Sequence, residues 1–284
     1  MATTKIHWAD KVWNPVTGCS KVSSGCENCY AEKMSKRLAG RYGYHKDEPF
    51  RVTVHPDRLG EPGEWKKPQR VFVCSMADLF HDDVPIDFIL RVFGRMNALR
   101  HHTFMLLTKR PENAMEFCFH TGLTPSGFPF PACSTPSGEV WPENVWLGVT
   151  AENQEMADKR IPVLLQIPVT VRFVSVEPML GSVDLERVQW PGKHKVDVLR
   201  RGAWNIPGGM SGFTNHSDMN GIDWVICGGE SGQKARPMHL EWAESLRDQC
   251  KAAGVPFFMK QMSGKIRADR DAIPAHIDIQ QFPG

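Results

Sequence analysis

From about residue 70 onward, short apolar runs alternate with longer amphipathic ones. Val71–Ser75, Thr103–Thr108, Val145–Thr150, Val171–Val176, Trp224–Gly228 and Val255–Lys260 are nearly continuous runs of aliphatic, β-branched and aromatic residues, the signature of strands buried on both faces. Between them, Ile86–Leu99, Pro111–Phe119, Glu152–Leu165 and Leu240–Ala253 repeat apolar positions at helical spacing. Pro111 suits an early helical position and Gly254 a helix end. Ahead of this rhythm, residues 5–16 read as extended, anchored by Ile6, Trp8 and Trp13, and Cys29–Leu38 as a helix with Ala31, Met34 and Leu38 on one face. Strands separated by helices predict an α/β fold on a parallel sheet. The expected form is a partial (β/α)6-type barrel with long insertions, a doubly wound sheet being the other arrangement of the same units. Residues 1–284 read as one domain of this kind. The insertions are 41–69, a polar stretch with one short strand at Arg51–His55, then 122–143, rich in Pro, Ser and Gly, and 181–221, which contains the flexible patch Gly208–Gly212. Loops of such length are usually functional lids or disordered.

The residues that follow each strand are unusually polar. They are Ser75-Met76-Ala77-Asp78 with Phe80-His81-Asp82 beyond, Thr108-Lys109-Arg110, Thr150-Ala151-Glu152, Glu177-Pro178, Gly228-Gly229-Glu230-Ser231-Gly232 with Lys234 and Arg236 beyond, and Lys260-Gln261. In parallel βα folds ligands bind at the carboxyl ends of the strands, so these residues converge on one face. Ser75, Asp78, Lys109, Glu152, Glu177, Glu230 and Arg236 are the candidate cofactor-binding residues, with Arg110 and Lys260 as further cations. Carboxylates beside cations suit a zwitterionic or polyol ligand. Taken singly, each is equally a turn or cap residue: Glu152 fits a first helical turn and Asp78 an N-cap. The Gly228–Gly232 run is neither G-x-G-x-x-G nor a P-loop and carries no nucleotide assignment alone. His81 and His239 lie near strand ends; the other histidines read as surface or core.

Chemistry of another kind sits in Thr17–Tyr30, TGCSKVSSGCENCY, where Cys19, Cys26 and Cys29 have C-x6-C-x2-C spacing. Gly18 and Gly25 precede the first two, and glycine allows sharp turns and close backbone approach. Three thiolates on one loop can hold a 4Fe–4S cluster with one iron left open, or a zinc ion with a fourth ligand from elsewhere, or can be unrelated thiols. A helix starting at Cys29 would turn free N–H groups toward an anionic group there.

Composition narrows the setting. Net charge is only +2 over 284 residues, which excludes a strong overall field for nucleic acid or membrane. The first residues form no signal core and no run reaches membrane-spanning length, so a cytoplasmic protein without a membrane partner is expected. In that compartment the 8 cysteines are thiols or metal ligands before disulfides. Cys74, Cys118, Cys227 and Cys250 lie in apolar patterns and read as buried small residues, and Cys133 falls in the loop 122–143.

The run WNPVTGC…GCENCYAE from Trp13, with SMADLFH, LLTKRP, WLGVTAEN, SVEPMLG and GGESG at successive strand ends, closely resembles the phage-associated three-Cys-motif proteins, over nearly the whole chain. More broadly, three cysteines in the loop after the first strand of a partial βα barrel resemble the radical S-adenosylmethionine enzymes. That resemblance implies a 4Fe–4S cluster held by Cys19, Cys26 and Cys29. Its fourth iron would bind the amino and carboxylate groups of S-adenosylmethionine, and reduction would cleave the cofactor to a hydrogen-abstracting radical. It implies an external electron donor, and that strand-end residues contact the methionine and ribose moieties. The first gap is longer than the usual C-x3-C-x2-C, and Asn28 stands where an aromatic is common. The phage resemblance implies a nucleotide, nucleobase or nucleic-acid substrate, which Lys109, Arg110, Lys234 and Arg236 could meet at a phosphate. Two rival readings follow from the residues: a zinc-dependent nucleic-acid-binding protein without catalysis, and a βα enzyme in which the cysteines are merely structural.

Overall fold

The computed structural model describes residues 4, 6–121, 141–192, 194–200, 220–264 and 272–284. Its strands are β1 (Lys11–Trp13), β2 (Val16–Thr17), β3 (Thr53–Val54), β4 (Arg70–Val73), β5 (Thr103–Thr108), β6 (Val145–Thr150), β7 (Arg172–Val176), β8 (Val188–Trp190), β9 (His194–Val196), β10 (Trp224–Gly228) and β11 (Phe257–Gln261). Its α-helices are α1 (Tyr30–Arg37), α2 (Ile86–Ala98), α3 (Pro111–Thr121), α4 (Gln154–Leu164) and α5 (Leu240–Ala253). Seven strands form one sheet in the order β1-β4-β5-β6-β7-β10-β11. Every neighbouring pair in it is parallel, and the sheet curls into a half-barrel. The α/β, partial-barrel expectation is met.

Period-two alternation along the strands sorts their side chains into two cores. On the outer face Val73, Leu106, Leu147, Val174, Val225 and Phe257 pack with apolar residues of the helices, among them Val92, Phe117, Ile161 and Leu246. On the inner face Met105, Phe173, Trp224, Ile226 and Phe258 pack with Phe72, Leu107, Trp146 and Phe282, and with Trp8 from the segment before β1. Trp8 lies 4.6 Å from Phe72 and 6.2 Å from Trp224, ring centre to ring centre. Gly148, also on the inner face, leaves room for this plug, since a Cβ there would lie 2.4 Å from the Phe173 ring. One step further toward the carboxyl ends the inner residues become small or polar: Thr150, Ser175, Glu177, Gly228 and Lys260. Aromatic bulk therefore fills the amino end of the half-barrel, and space opens at the carboxyl end.

Helix bounds lie within two residues of the expected ones. The seventh strand, β1, is three residues long, too short to stand out as a run; it enters the sheet by pairing Lys11, Val12 and Trp13 with Val71, Phe72 and Val73. Glu152 lies outside helix α4, because Asn153 is the cap, its side chain accepting from Met156 N at 3.0 Å. Within 41–69, β3 pairs antiparallel with β2, and within 181–221, β8 and β9 form a hairpin. Gly208–Gly212, Cys133 and residues 122–140 lie outside the described residues. Among the described residues no helix is long and apolar enough to cross a membrane.

Candidate functional site

The cysteine loop leaves β2, crosses the carboxyl ends of the strands and runs into α1. Gly18 opens it at φ +85°, pressed so close to the 41–69 segment that a Cβ would lie 2.1 Å from Arg51 O. Its N–H donates to Met76 O at 3.0 Å, and that of Cys19 to Phe50 O at 3.2 Å. Ser24–Cys26 form one 3₁₀ turn, and Cys29 directly precedes α1. All three sulfurs belong to half-buried, free cysteines that line one cavity. The other four described cysteines are buried, and burial pushes the thiols of Cys118 and Cys250 up to about 12.

Four strand ends grip this loop. From β4 and β5, buried Asp78 accepts from Thr108 Oγ1 at 2.8 Å and from the Lys109 N–H at 3.0 Å. The same carboxylate pairs with Arg110 at 3.5 Å, and Arg110 in turn reaches Cys19 Sγ at 3.5 Å and Ser20 Oγ at 2.7 Å. From β6, Glu152 accepts from the Gly25 N–H at 3.1 Å and pairs with Arg160 at 2.8 Å. A Cβ on Gly25 would lie 2.9 Å from the Glu152 carboxyl carbon, so the second glycine makes this approach possible. From β10, Glu230 accepts from Asn28 Nδ2 at 2.9 Å and pairs with Arg236, which donates to Ser24 O at 2.9 Å and to Glu27 at 2.9 Å.

These contacts set the charge states. Burial pushes Glu152 and Glu230 upward, but hydrogen bonds outweigh it and both carboxyls sit below the usual range, held by Ser23 and Arg160 in one case and by Arg236 and Asn28 in the other. Burial, with Asp78 nearby, raises the Cys19 thiol despite Arg110. For Cys26, burial also acts upward, but Lys109 and the backbone at Val22 and Ser23 bring the thiol below its ordinary value. Burial, then Arg110, pushes His81 down. Its Nδ1 accepts from the Asp83 N–H at 3.1 Å, so the neutral ring carries its proton on Nε2, 2.7 Å from Ser20 Oγ.

The residues singled out from the sequence thus divide. Ser75, Asp78, Lys109, Glu177 and Glu230 line the cavity with the three cysteines. Glu152, fully buried, and Arg236 are not in the cavity lining; they fasten the loop. The Ser75 hydroxyl is engaged by Asn14 Oδ1 at 3.2 Å. Glu177 is joined to Lys260 by an ion pair on the inner wall. His239 is exposed at the start of α5 and stacks on Trp242. Arg160 and Ser20, which bond the loop or its clamps, and Ser175, which lines the cavity, were not singled out in the sequence. Ser175 was findable, because alternation from Phe173 places it inward; the Arg160 contact depends on tertiary placement.

The three cysteines line one cavity without closing on a common centre. A lone zinc would need its sulfurs about 3.8 Å apart around one centre. Among the described residues no three His, Cys, Asp or Glu side chains form a group able to hold one metal ion. A four-iron cube spreads its ligands more widely, each sulfur on its own iron. Three thiols around one cavity, with Arg110 on one sulfur and Lys109 beside another, fit a group that is anionic once ligated.

Two solved structures are similar to this chain at a low level. A cysteine-to-serine mutant of spore photoproduct lyase superposes with a TM-score of 0.46 at 9% identity, covering 89% of this chain and 75% of that one. Spore photoproduct lyase complexed with dinucleoside spore photoproduct gives 0.42 at 9% identity, covering 84% and 71%. No curated protein sequence matches the chain. Residues 3–277 match the family described as Protein of unknown function (DUF5131), and the chain belongs to that family.

Proposed function

We propose that this protein is an iron–sulfur, S-adenosylmethionine-dependent radical enzyme that abstracts hydrogen from a nucleotide, nucleobase or nucleic acid. The observation that carries the reading is the placement of Cys19, Cys26 and Cys29 on one clamped loop, all facing a single cavity at the carboxyl ends of a parallel half-barrel. Those three residues would hold a 4Fe–4S cluster, which when bound supplies the electron that cleaves S-adenosylmethionine and so starts hydrogen abstraction. Arg110 donates to the Cys19 sulfur and would steady its negative charge once ligated, and Asp78 orients Arg110. Lys109 faces Cys26 from the same strand end and adds positive charge where an anionic cofactor would sit. Ser75 and Glu230 line the wall nearest the loop and are offered as contacts to the methionine and ribose moieties. The aromatic plug below closes the amino end of the barrel to water. Lys21 and Val22 are exposed at the rim of the cavity, where an external electron donor could approach.

The test is product analysis. Cluster-loaded protein, reduced anaerobically with S-adenosylmethionine, is expected to release 5′-deoxyadenosine, and Cys26→Ala protein none. Absence of 5′-deoxyadenosine and of its rearranged adducts from fully loaded wild type, over many reducing conditions, would refute the proposal.

A further inference from the structure

The cavity wall away from the cysteine loop is built differently from the rest. Glu177 follows β7 and Lys260 lies in β11, with β10 between them in the sheet. Their side chains meet across Gly228, where a Cβ would lie 3.3 Å from Glu177 and 3.5 Å from Lys260. The glycine thus lets a carboxylate and an ammonium stand side by side on the inner face, each still partly open to the cavity. Beside them, Thr150 and Ser175 are register partners on β6 and β7, and both line the cavity. Each residue is 1% exposed, and among the described residues neither hydroxyl has a hydrogen-bond partner. Neither oxygen is sealed from the cavity, so each is free to donate to or accept from a ligand or water there. Below this polar row, Trp8, Phe72 and Leu107 form an apolar floor.

We infer that Thr150, Ser175, Glu177 and Lys260 form a recognition subsite for the edge of a planar nitrogen heterocycle, a nucleobase, whose face lies over the floor of Trp8 and Phe72. A base edge sets a hydrogen-bond donor next to an acceptor, which the Glu177 carboxylate and the Lys260 ammonium match in turn. The two hydroxyls reach further donors or acceptors on the same ring. An aromatic floor, its two rings tilted by 55° to each other, favours a ring over an aliphatic zwitterion, the other ligand that could span an ion pair. This inference deepens the proposed function and rests on it both for the substrate class and for leaving the loop side of the cavity to the cofactor. The base can belong to a free nucleoside, a nucleotide or a single strand.

Binding to the cluster-loaded protein separates these. Calorimetry or equilibrium dialysis would use the common nucleosides, their monophosphates, short single-stranded oligonucleotides and, as the aliphatic zwitterion, leucine. At least one base-containing probe is expected to bind, and the tightest class identifies the source of the base. Glu177→Gln and Ser175→Ala are each expected to weaken that binding about tenfold, and Thr150→Val to weaken it less, with iron and sulfide content unchanged. Ser175→Ala and Thr150→Val preserve shape, so they report even if breaking the ion pair harms folding. The inference is overturned if no base-containing probe binds at millimolar concentration, if leucine binds as tightly, or if all three variants bind like wild type. Because binding is read without turnover, these outcomes are distinct from a failure to cleave S-adenosylmethionine.

Discussion

Gly18 and Gly25 show how closely single residues constrain the cysteine loop. One must hold φ +85° against Arg51 O, and the other must let Glu152 reach the loop backbone. The sequence shows both as glycines before cysteines, but not what they press against, because those neighbours come from 33 and 127 positions away. Gly25→Ala is expected to loosen the loop, lower stability by about 1–3 kcal/mol and reduce iron content, checked by urea unfolding and metal analysis. Arg110 tests the electrostatics at this scale. Its guanidinium donates to a sulfur that would ligate the cluster, and such donation favours the reduced, more negative state. Arg110→Gln is expected to shift the cluster potential downward, on the order of tens of millivolts, in an EPR-monitored redox titration. An unchanged potential would show that the contact does not act on the cluster.

At the scale of elements, the strands and helices were legible because apolar periodicity reports burial directly, and the sheet buries both its faces. β1 was legible only as part of the extended stretch 5–16, because its three residues are fixed in the sheet by edge pairing rather than by pattern. The strand ends were legible as a group and not as individuals. A charged residue after a strand can face the cavity, as Glu177 does, or turn sideways to hold a loop, as Glu152 does, and the two cases look alike in one dimension. The β6 clamp yields a sharp expectation. Glu152 and Arg160 are almost wholly buried, so removing one charge strands the other. Glu152→Gln is expected to destabilise the fold by roughly 3–5 kcal/mol in denaturant unfolding, more than the same change at exposed Glu241.

For the whole molecule, pH reads out the buried polar network. His55, His81 and His102 all have pKa values lowered first by burial, so the unfolded chain binds more protons than the folded one as pH falls below the ordinary histidine value near 6.5. Their contribution is complete above that value and is lost on acidification through it. Asp10, Glu32, Asp82, Glu152 and Glu230 are depressed and contribute above their ordinary carboxylate values, so their share is lost at still lower pH. Thermal melting is therefore expected to fall in two stages, first below about pH 6.5 and again below about pH 4.5. A melting temperature flat from pH 7 to pH 5 would contradict the neutral assignment of the three histidines.

The architecture places three thiols, the cations Lys109 and Arg110 beside them and an open polar wall around one cavity, and its central claim is that those thiols hold a four-iron cluster. Iron, acid-labile sulfide and zinc analysis of anaerobically reconstituted protein, with an absorption spectrum, tests that claim most directly. About four irons and four sulfides per chain, with a brown colour lost in Cys19→Ala, is the expected result. One zinc and no iron, even after reconstitution, would contradict it.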